Sequence, residues 1–98
     1  MSLPIRLGAE SQHDVEDAVA WYEAQRQGLG ERFLDGLDRL FKRVVENPRQ
    51  FPAIETEVRR ALMRRFPYAI YFVVLPESIL VIAVLHVRRY PQEWQRRV

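Results

Sequence analysis

The feature that most constrains the fold is a run of apolar residues at helical spacing in the middle of the chain. The stripe consists of Phe33, Leu34, Leu37, Leu40, Phe41, Val44 and Val45. Charged residues such as Asp38 and Lys42 fill the positions between them, which predicts a long amphipathic helix with one face on a core. Asn47-Pro48 predicts its end, because a residue before proline is disfavoured in the α region.

A shorter helical pattern precedes this one, with apolar residues at Val15, Ala18, Val19 and Tyr22. Ser11 followed by Asp14 resembles a capping box, which predicts that this first helix begins at Ser11. Gly28 and Gly30 predict its end, because glycine accepts the positive φ of a C-cap and the tight reversal after it. The short connection predicts an antiparallel helical hairpin.

After Pro52 the apolar periodicity changes to two, which is typical of β-strands. Strands are predicted at residues 58–66, 68–75 and 79–87, and another at residues 3–7 before the first helix. Pro76-Glu77-Ser78 predicts a hairpin turn, and the apolar run at residues 81–87 predicts a central strand covered by helices on one face. The order β-α-α-β-β-β predicts an α+β fold, an antiparallel sheet packed on an antiparallel helical hairpin.

Length and composition favour one folded domain over residues 1–98, with a tail at residues 91–98 that forms a helical turn anchored by Trp94. The chain contains no cysteine, which excludes disulfides and cysteine-based zinc sites or nucleophiles. We expect no metal and no cofactor.

Residues 1–8 lack the pattern of a signal peptide, and Pro76, Glu77 and Ser78 interrupt the most apolar run. We therefore expect a cytoplasmic protein with no membrane partner.

The charge is distributed unevenly along the chain. Residues 1–57 carry seven basic and eleven acidic residues, whereas residues 58–98 carry eight arginines and only two acidic residues. A basic C-terminal half indicates an anionic partner, either nucleic acid or an acidic protein. The alternative is that these arginines only keep the faces of the strands solvated.

Several short segments resemble the RelE/ParE superfamily of toxins, also known as plasmid stabilisation proteins, in their order and spacing. They are Asp17-Ala18-Val19-Ala20-Trp21-Tyr22, Gly28-Leu29-Gly30-Glu31-Arg32-Phe33, Asn47-Pro48 with Phe51-Pro52, the run from Arg64 to Phe72, and Ala83-Val84-Leu85-His86-Val87-Arg88-Arg89 with Pro91 and Trp94. The resemblance covers nearly the whole chain. It implies the toxin of a bacterial type II toxin–antitoxin system, with a cognate antitoxin protein as partner and operator DNA bound only indirectly, through that antitoxin.

The resemblance also implies two different modes of action. RelE-like members cleave messenger RNA on the ribosome, whereas ParE-like members inhibit DNA gyrase and are not nucleases. A metal-independent mRNA endoribonuclease needs a base, an acid and cations that stabilise the charge on phosphate. If the chain is RelE-like, its candidate catalytic residues are Arg64, Arg65, His86, Arg88, Arg89 and Tyr90. Arginine side chains are suited to binding phosphate, and a histidine is suited to act as the base. The structural alternative for His86 is a histidine that only packs at the end of a strand.

The chain departs from the RelE-like pattern because residues 58–98 contain no lysine; the only lysine is Lys42. The Trp21-Tyr22 segment and the long helical hairpin resemble ParE-like members, which favours inhibition of gyrase or of another essential target. The alternatives are a RelE-like nuclease, an inactive relative that retains only antitoxin binding, and a simple nucleic-acid binder. No basic recognition helix or aromatic-rich RNA-binding motif supports the last of these.

Overall fold

The apolar stripe in the middle of the chain forms the buried face of the longer of two helices, which pack on one side of a five-stranded sheet. The computed structural model describes residues 2–98. Its elements in chain order are β1 (Ile5–Leu7), α1 (Ala9–Gln25), α2 (Leu29–Glu46), a 3₁₀ helix (Pro48–Gln50), β2 (Ala53–Glu55), β3 (Val58–Leu62), β4 (Tyr68–Val74), β5 (Ile79–His86) and a C-terminal 3₁₀ helix (Glu93–Arg97). The α+β fold and the helical hairpin are confirmed. No helix within residues 2–98 is both long and apolar enough to cross a bilayer.

The strand order is β1-β5-β4-β3-β2, and β5 lies between β1 and β4 as a central strand. Two details differ from the expected antiparallel sheet of four strands. β1 pairs with β5 in parallel, and the short strand β2 adds an antiparallel edge beside β3. Three-residue strands carry too few positions to display an alternating pattern, which is why the sequence did not indicate the pairing of β1 or the presence of β2.

The main core lies between the helical hairpin and one face of the sheet. Phe33, Leu37, Leu40 and Val44 are almost fully buried there, as the periodicity predicted, whereas Leu34 at the edge of the stripe is 42% exposed. A smaller apolar cluster covers the opposite face, where the Trp94 ring stacks on Tyr71 with centroids 5.6 Å apart. Each face of the sheet is therefore packed, the second one by the C-terminal 3₁₀ helix.

The predicted start of the first helix at Ser11 is wrong, because α1 begins at Ala9 and Gly8 is its N-cap. The Ser11 hydroxyl instead donates to the Val81 carbonyl oxygen at 2.7 Å, and the Asp14 carboxylate accepts from the Val84 amide at 2.9 Å. β1 pairs only with the first three residues of β5. Asp14 therefore satisfies a backbone amide of β5 beyond its pairing with β1, whereas Ser11 adds a second donor to the Val81 carbonyl oxygen, which also accepts from the Gly8 amide at 3.0 Å.

The two glycines of the helical turn have different roles. Gly28 has φ +89°, the left-handed conformation expected of the reversal between the helices. Gly30 lies inside α2, and a Cβ there would sit 2.9 Å from the Val19 carbonyl oxygen. Its predicted role in ending the first helix is wrong; the absence of a side chain instead lets α1 and α2 approach closely.

The strand predicted at residues 58–66 is shorter than expected. β3 ends at Leu62, so Arg64 and Arg65 lie in the bend that leads to β4 and not on the faces of a strand. The Met63 amide donates to the Tyr68 carbonyl oxygen at 2.9 Å, which closes this bend at the end of the sheet. We call residues 63–67 the β3–β4 bend.

Candidate functional site

Two depressions flank the end of the sheet where β4 begins and β5 ends. The larger, which we call the arginine groove, has a volume of about 810 Å³ and separates α2 from the β3–β4 bend. Its lining includes five arginines and one acid, together with apolar residues. The lining residues are Leu29, Arg32, Asp35, Gly36, Arg39, Leu40, Arg43, Leu62, Met63, Arg64, Arg65 and Phe66.

The arginines of the groove are not neutralised by the rest of the described chain. No ion pair within 4.0 Å among residues 2–98 includes Arg32, Arg39, Arg43, Arg64 or Arg65. The guanidinium of Arg43 instead stacks over an aromatic ring, 5.4 Å from its centroid. The groove therefore presents a concentrated positive potential to solvent.

The smaller depression, which we call the aromatic cleft, has a volume of about 430 Å³ and lies between α1, the end of β5 and the C-terminal segment. Its lining residues are Asp14, Asp17, Ala18, Trp21, Tyr68, Val84, Leu85, His86, Arg89, Tyr90, Glu93 and Arg97. Trp21 and Tyr90 are 44% and 54% exposed. The Arg89 guanidinium lies over the Trp21 ring at 5.3 Å, a cation–π contact that joins α1 to the residues after β5.

His86 ends β5, and its ring is held by the turn that follows. Its Nδ1 accepts hydrogen bonds from the backbone amides of Arg88 and Arg89, at 3.1 and 3.3 Å. Partial burial and the two neighbouring arginines hold the pKa of His86 below its usual value. Because Nδ1 accepts from two amides, the neutral ring carries its proton on Nε2 and can donate a hydrogen bond from that atom.

The phenols near the cleft are weak acids. Burial raises the pKa of Tyr68, and also that of Tyr22, above the usual value for tyrosine, although the Arg89 charge opposes the rise in both. Tyr68 stacks edge-on against His86 with centroids 5.4 Å apart. These phenols stay protonated at neutral pH, so the aromatic cleft offers hydrogen-bond donors and aromatic faces.

A buried ion pair that no sequence pattern indicated closes one side of the aromatic cleft. Arg97 binds the Asp14 carboxylate through two nitrogens, at 2.5 and 3.0 Å, and also donates to the Ile82 carbonyl oxygen at 3.1 Å. These hydrogen bonds to Asp14 raise the pKa of Arg97. Its Nε lies 3.3 Å from a Glu10 oxygen, an ion-pair distance without the alignment of a hydrogen bond. The pair fixes the C-terminal 3₁₀ helix on α1 and the edge of β5.

The residues predicted for RNA cleavage divide between the two depressions. Their segments meet at the end of the sheet, where the Val87 amide donates to the Pro67 carbonyl oxygen at 2.9 Å. Arg64 and Arg65 nevertheless line the arginine groove, whereas His86, Arg89 and Tyr90 line the aromatic cleft, and Arg88 is exposed and lines neither. No hydrogen bond between residues 2–98 links the two sets. Their catalytic role stays a prediction for an RNA-cleaving chain only.

Sequence reasoning missed the contribution of α2 to the groove. Arg32, Arg39 and Arg43 follow one another at intervals of seven and four residues, which places them along one side of a helix. That spacing is a signal in the sequence from which the contribution of α2 could have been predicted. Within residues 2–98, no three His, Cys, Asp or Glu side chains converge as metal ligands would.

Comparison with known proteins identifies the family. Residues 5–91 match the family described as the ParE toxin of the type II toxin–antitoxin system parDE. No curated protein sequence is similar enough to match the chain. Among solved structures, a chain of the chromosomal ParDE TA system from P. aeruginosa superimposes with a TM-score of 0.77 at 13% identity, over 87% of this chain and 96% of that one. The match to the solved structure concerns the fold, whereas the match to the family covers most of the sequence. This chain therefore belongs to the ParE toxin family of type II toxin–antitoxin systems.

Proposed function

We propose that the chain is a growth-arresting toxin that inhibits DNA gyrase and that a cognate antitoxin protein neutralises it. Membership of the ParE family supports the toxin role. The choice of gyrase over messenger RNA depends on the site itself.

The observation that carries this choice is the separation of the candidate nuclease residues. Cleavage by the RNA 2′-hydroxyl needs a base within hydrogen-bond reach of that hydroxyl and cations around the same phosphate. Here Nδ1 of His86 is taken by two backbone amides, and the doublet of Arg64 and Arg65 opens into a different depression. Because the candidate base has no free Nδ1 and the Arg64–Arg65 doublet lies in the other depression, a protein-binding toxin is the better-supported function.

The first test is the response of cells to the chain alone. Inducing it should arrest growth, and negative supercoiling of a reporter plasmid should fall before growth stops. Messenger RNA should show no more in-frame breaks than in uninduced cells. Co-expression of the short open reading frame beside the gene should restore growth, because that frame would encode the antitoxin.

Two outcomes would count against the proposal. Normal growth of cells that contain well-folded chain would indicate an inactive relative that only binds antitoxin. Growth arrest with new mRNA breaks and unchanged supercoiling would indicate the RelE-like nuclease; the breaks should then disappear in Arg64→Ala and Arg88→Ala, the candidate phosphate-binding residues.

A further inference from the structure

The arginine groove carries more positive charge than the chain as a whole. Its lining holds five arginines and one acid, Asp35, which leaves a formal charge of +4, whereas the whole chain has a formal charge of +2. None of the five arginines forms an ion pair with residues 2–98, and all of them except Arg43 are exposed. A surface with this much unpaired charge attracts polyanions.

The two walls of the groove, α2 and the β3–β4 bend, place this charge along a line. On α2, Arg32, Arg39 and Arg43 form a row about 16 Å long, at a helical rise of about 1.5 Å per residue. On the facing wall, Arg64 and Arg65 lie together in the bend. One strand of duplex DNA advances about 3.4 Å along its axis per nucleotide, so the row spans about five nucleotides. The groove therefore matches a short stretch of one backbone strand, with cations on both sides of it.

The other residues of the groove favour a duplex over a single strand. Among the described residues that line it, Phe66 is the only aromatic one, and its ring packs edge-on against Tyr22 and Phe33, with centroids 4.9 and 5.3 Å apart. Phe66 is therefore part of the core and does not form a platform on which unpaired bases would stack. The same described lining includes no Asn, Gln, Ser or Thr, the neutral side chains that hydrogen-bond to base edges. We expect contacts to phosphates and not to bases.

We propose that the arginine groove binds the phosphate backbone of duplex DNA, with one strand lying between α2 and the β3–β4 bend, independently of base sequence. Arginine suits this role because its planar guanidinium donates two parallel hydrogen bonds to a phosphate and stays charged. Leu62, which is 54% exposed beside the arginines, offers an apolar contact to the deoxyribose between two phosphates. This activity needs no gyrase and goes beyond the proposed function. Gyrase acts on duplex DNA, so a toxin bound to it would also contact that DNA, and only this consequence rests on the proposed function.

The regular charge of DNA favours it over an acidic polypeptide. A DNA strand presents a phosphate at every nucleotide, so arginines on both walls find an anion whatever the sequence. A polypeptide would need carboxylates at matching positions on two of its sides. Asp35 lies on the same wall as the row and opposes either polyanion, because it repels a negative charge placed near it.

The test measures binding of the purified full chain to a fluorescein-labelled 20-base-pair duplex by fluorescence anisotropy at several NaCl concentrations. If all five arginines contact phosphates, the logarithm of the association constant should fall against the logarithm of the salt concentration with a slope of about −4.5. A duplex of unrelated sequence should bind with the same affinity within about twofold, because phosphate contacts carry no sequence information. One strand of the duplex alone should bind more weakly.

Charge-neutralising variants assign the binding to the groove. Arg39→Gln and Arg64→Gln, one on each wall, should each reduce the magnitude of the slope by about 0.9. The two together should weaken binding at least tenfold, which is about 1.4 kcal/mol. Arg6→Gln is the matched control and should leave the slope unchanged, because Arg6 is exposed on β1, at the edge of the sheet remote from β3. Asp35→Asn should strengthen binding of the duplex.

The proposal is overturned if the duplex does not bind at about 50 mM NaCl, or if Arg6→Gln changes the slope as much as the groove variants do. Tighter binding of the single strand would also overturn it. So would poly-glutamate that binds through Arg39 and Arg64 more tightly than the duplex, which would indicate a protein-binding site. These measurements involve neither gyrase nor growth arrest, so their failure would leave gyrase inhibition standing, and unchanged supercoiling would leave DNA binding standing.

Discussion

Replacing Arg97 with methionine should destabilise the fold by about 3 kcal/mol, because it leaves the Asp14 carboxylate without its cation. The side chains of Arg97 and Asp14 are only 9% and 12% exposed, so water can replace little of what the pair loses. Methionine keeps most of the length and packing of arginine, which confines the change to the charge and its hydrogen bonds.

The magnitude follows from the contacts of the two side chains. Removing one partner of a buried ion pair costs about 3–5 kcal/mol. Asp14 keeps its hydrogen bond from the Val84 amide in the variant, which places the loss at the lower end of that range. The Ile82 carbonyl oxygen loses a donor as well. Asp14→Asn combined with Arg97→Met should recover about 2 kcal/mol, because the unpaired charge is then absent.

Urea unfolding followed by circular dichroism measures this effect. With a slope of about 1.5 kcal/mol per molar urea, the midpoint of Arg97→Met should fall by about 2 M relative to the wild-type chain. Arg96→Met is the matched control: its side chain is 63% exposed and pairs with Glu93 and Glu10 at the surface. Solvent screens such surface pairs strongly, so the control should change the midpoint little.

Equal shifts of the urea midpoint for the two substitutions would contradict this prediction. They would mean that burial of the Asp14–Arg97 pair does not determine its contribution to the free energy of unfolding. A loss below about 1 kcal/mol for Arg97→Met would do the same. It would indicate that the C-terminal 3₁₀ helix separates readily from α1 and that the aromatic cleft is open on that side.

Three further predictions concern other contacts of the fold. Gly30→Ala should destabilise the chain by about 1–3 kcal/mol in urea unfolding, because its Cβ would lie 2.9 Å from a carbonyl oxygen of α1. Gly36→Ala should be neutral or stabilising, because its Cβ would meet only the flexible end of a methionine. Burial and the charges of Arg89 and Arg88 lower the pKa of His86 on folding, so its contribution to stability is complete above about pH 6.5 and is lost as pH falls through the lowered pKa. His86→Asn should remove that acid-dependent loss, and an unchanged pH profile would contradict the lowered pKa. Trp94→Ala should cost about 3 kcal/mol and abolish the near-ultraviolet signal of the stack on Tyr71, and retention of that signal would argue against the docking of the C-terminal 3₁₀ helix.

Local periodicity was sufficient to predict the two helices and the α+β fold. The stripe on α2 holds its spacing over several turns, and proline marks its end, so no long-range information was needed. The tail was predicted for a similar reason: Pro91 and Trp94 indicated a helical turn with an apolar anchor, and Trp94 is buried in the structure.

Features that depend on tertiary pairing were not predictable in the same way. Ser11 and Asp14 have the residue types and spacing of a capping box, but both side chains bind backbone groups of β5 and neither caps the helix terminus. Likewise, β3 ends before Arg64 because the chain must bend to pair β3 with β4, and the position of that bend depends on the geometry of the connection.

The candidate site was predicted only in part for the same reason. The sequence indicated that the arginines of the C-terminal half matter, yet it could not show which of them share a surface. The arginine groove combines residues of α2 with those of the β3–β4 bend, which are distant in the sequence. Only the packing of the helical hairpin on the sheet brings Arg39 and Arg64 to the same depression, and the same packing assigns His86 to the other.

The most direct test of the central claim is supercoiling of relaxed plasmid by purified DNA gyrase in the presence of increasing amounts of the purified chain. If gyrase is the target, supercoiled product should fall with increasing chain, and the same amounts should leave a messenger RNA substrate on ribosomes intact. The wild-type chain and His86→Gln should inhibit equally. Undiminished supercoiling at a large excess of folded chain, together with cleavage of the ribosome-bound RNA, would contradict gyrase as the target.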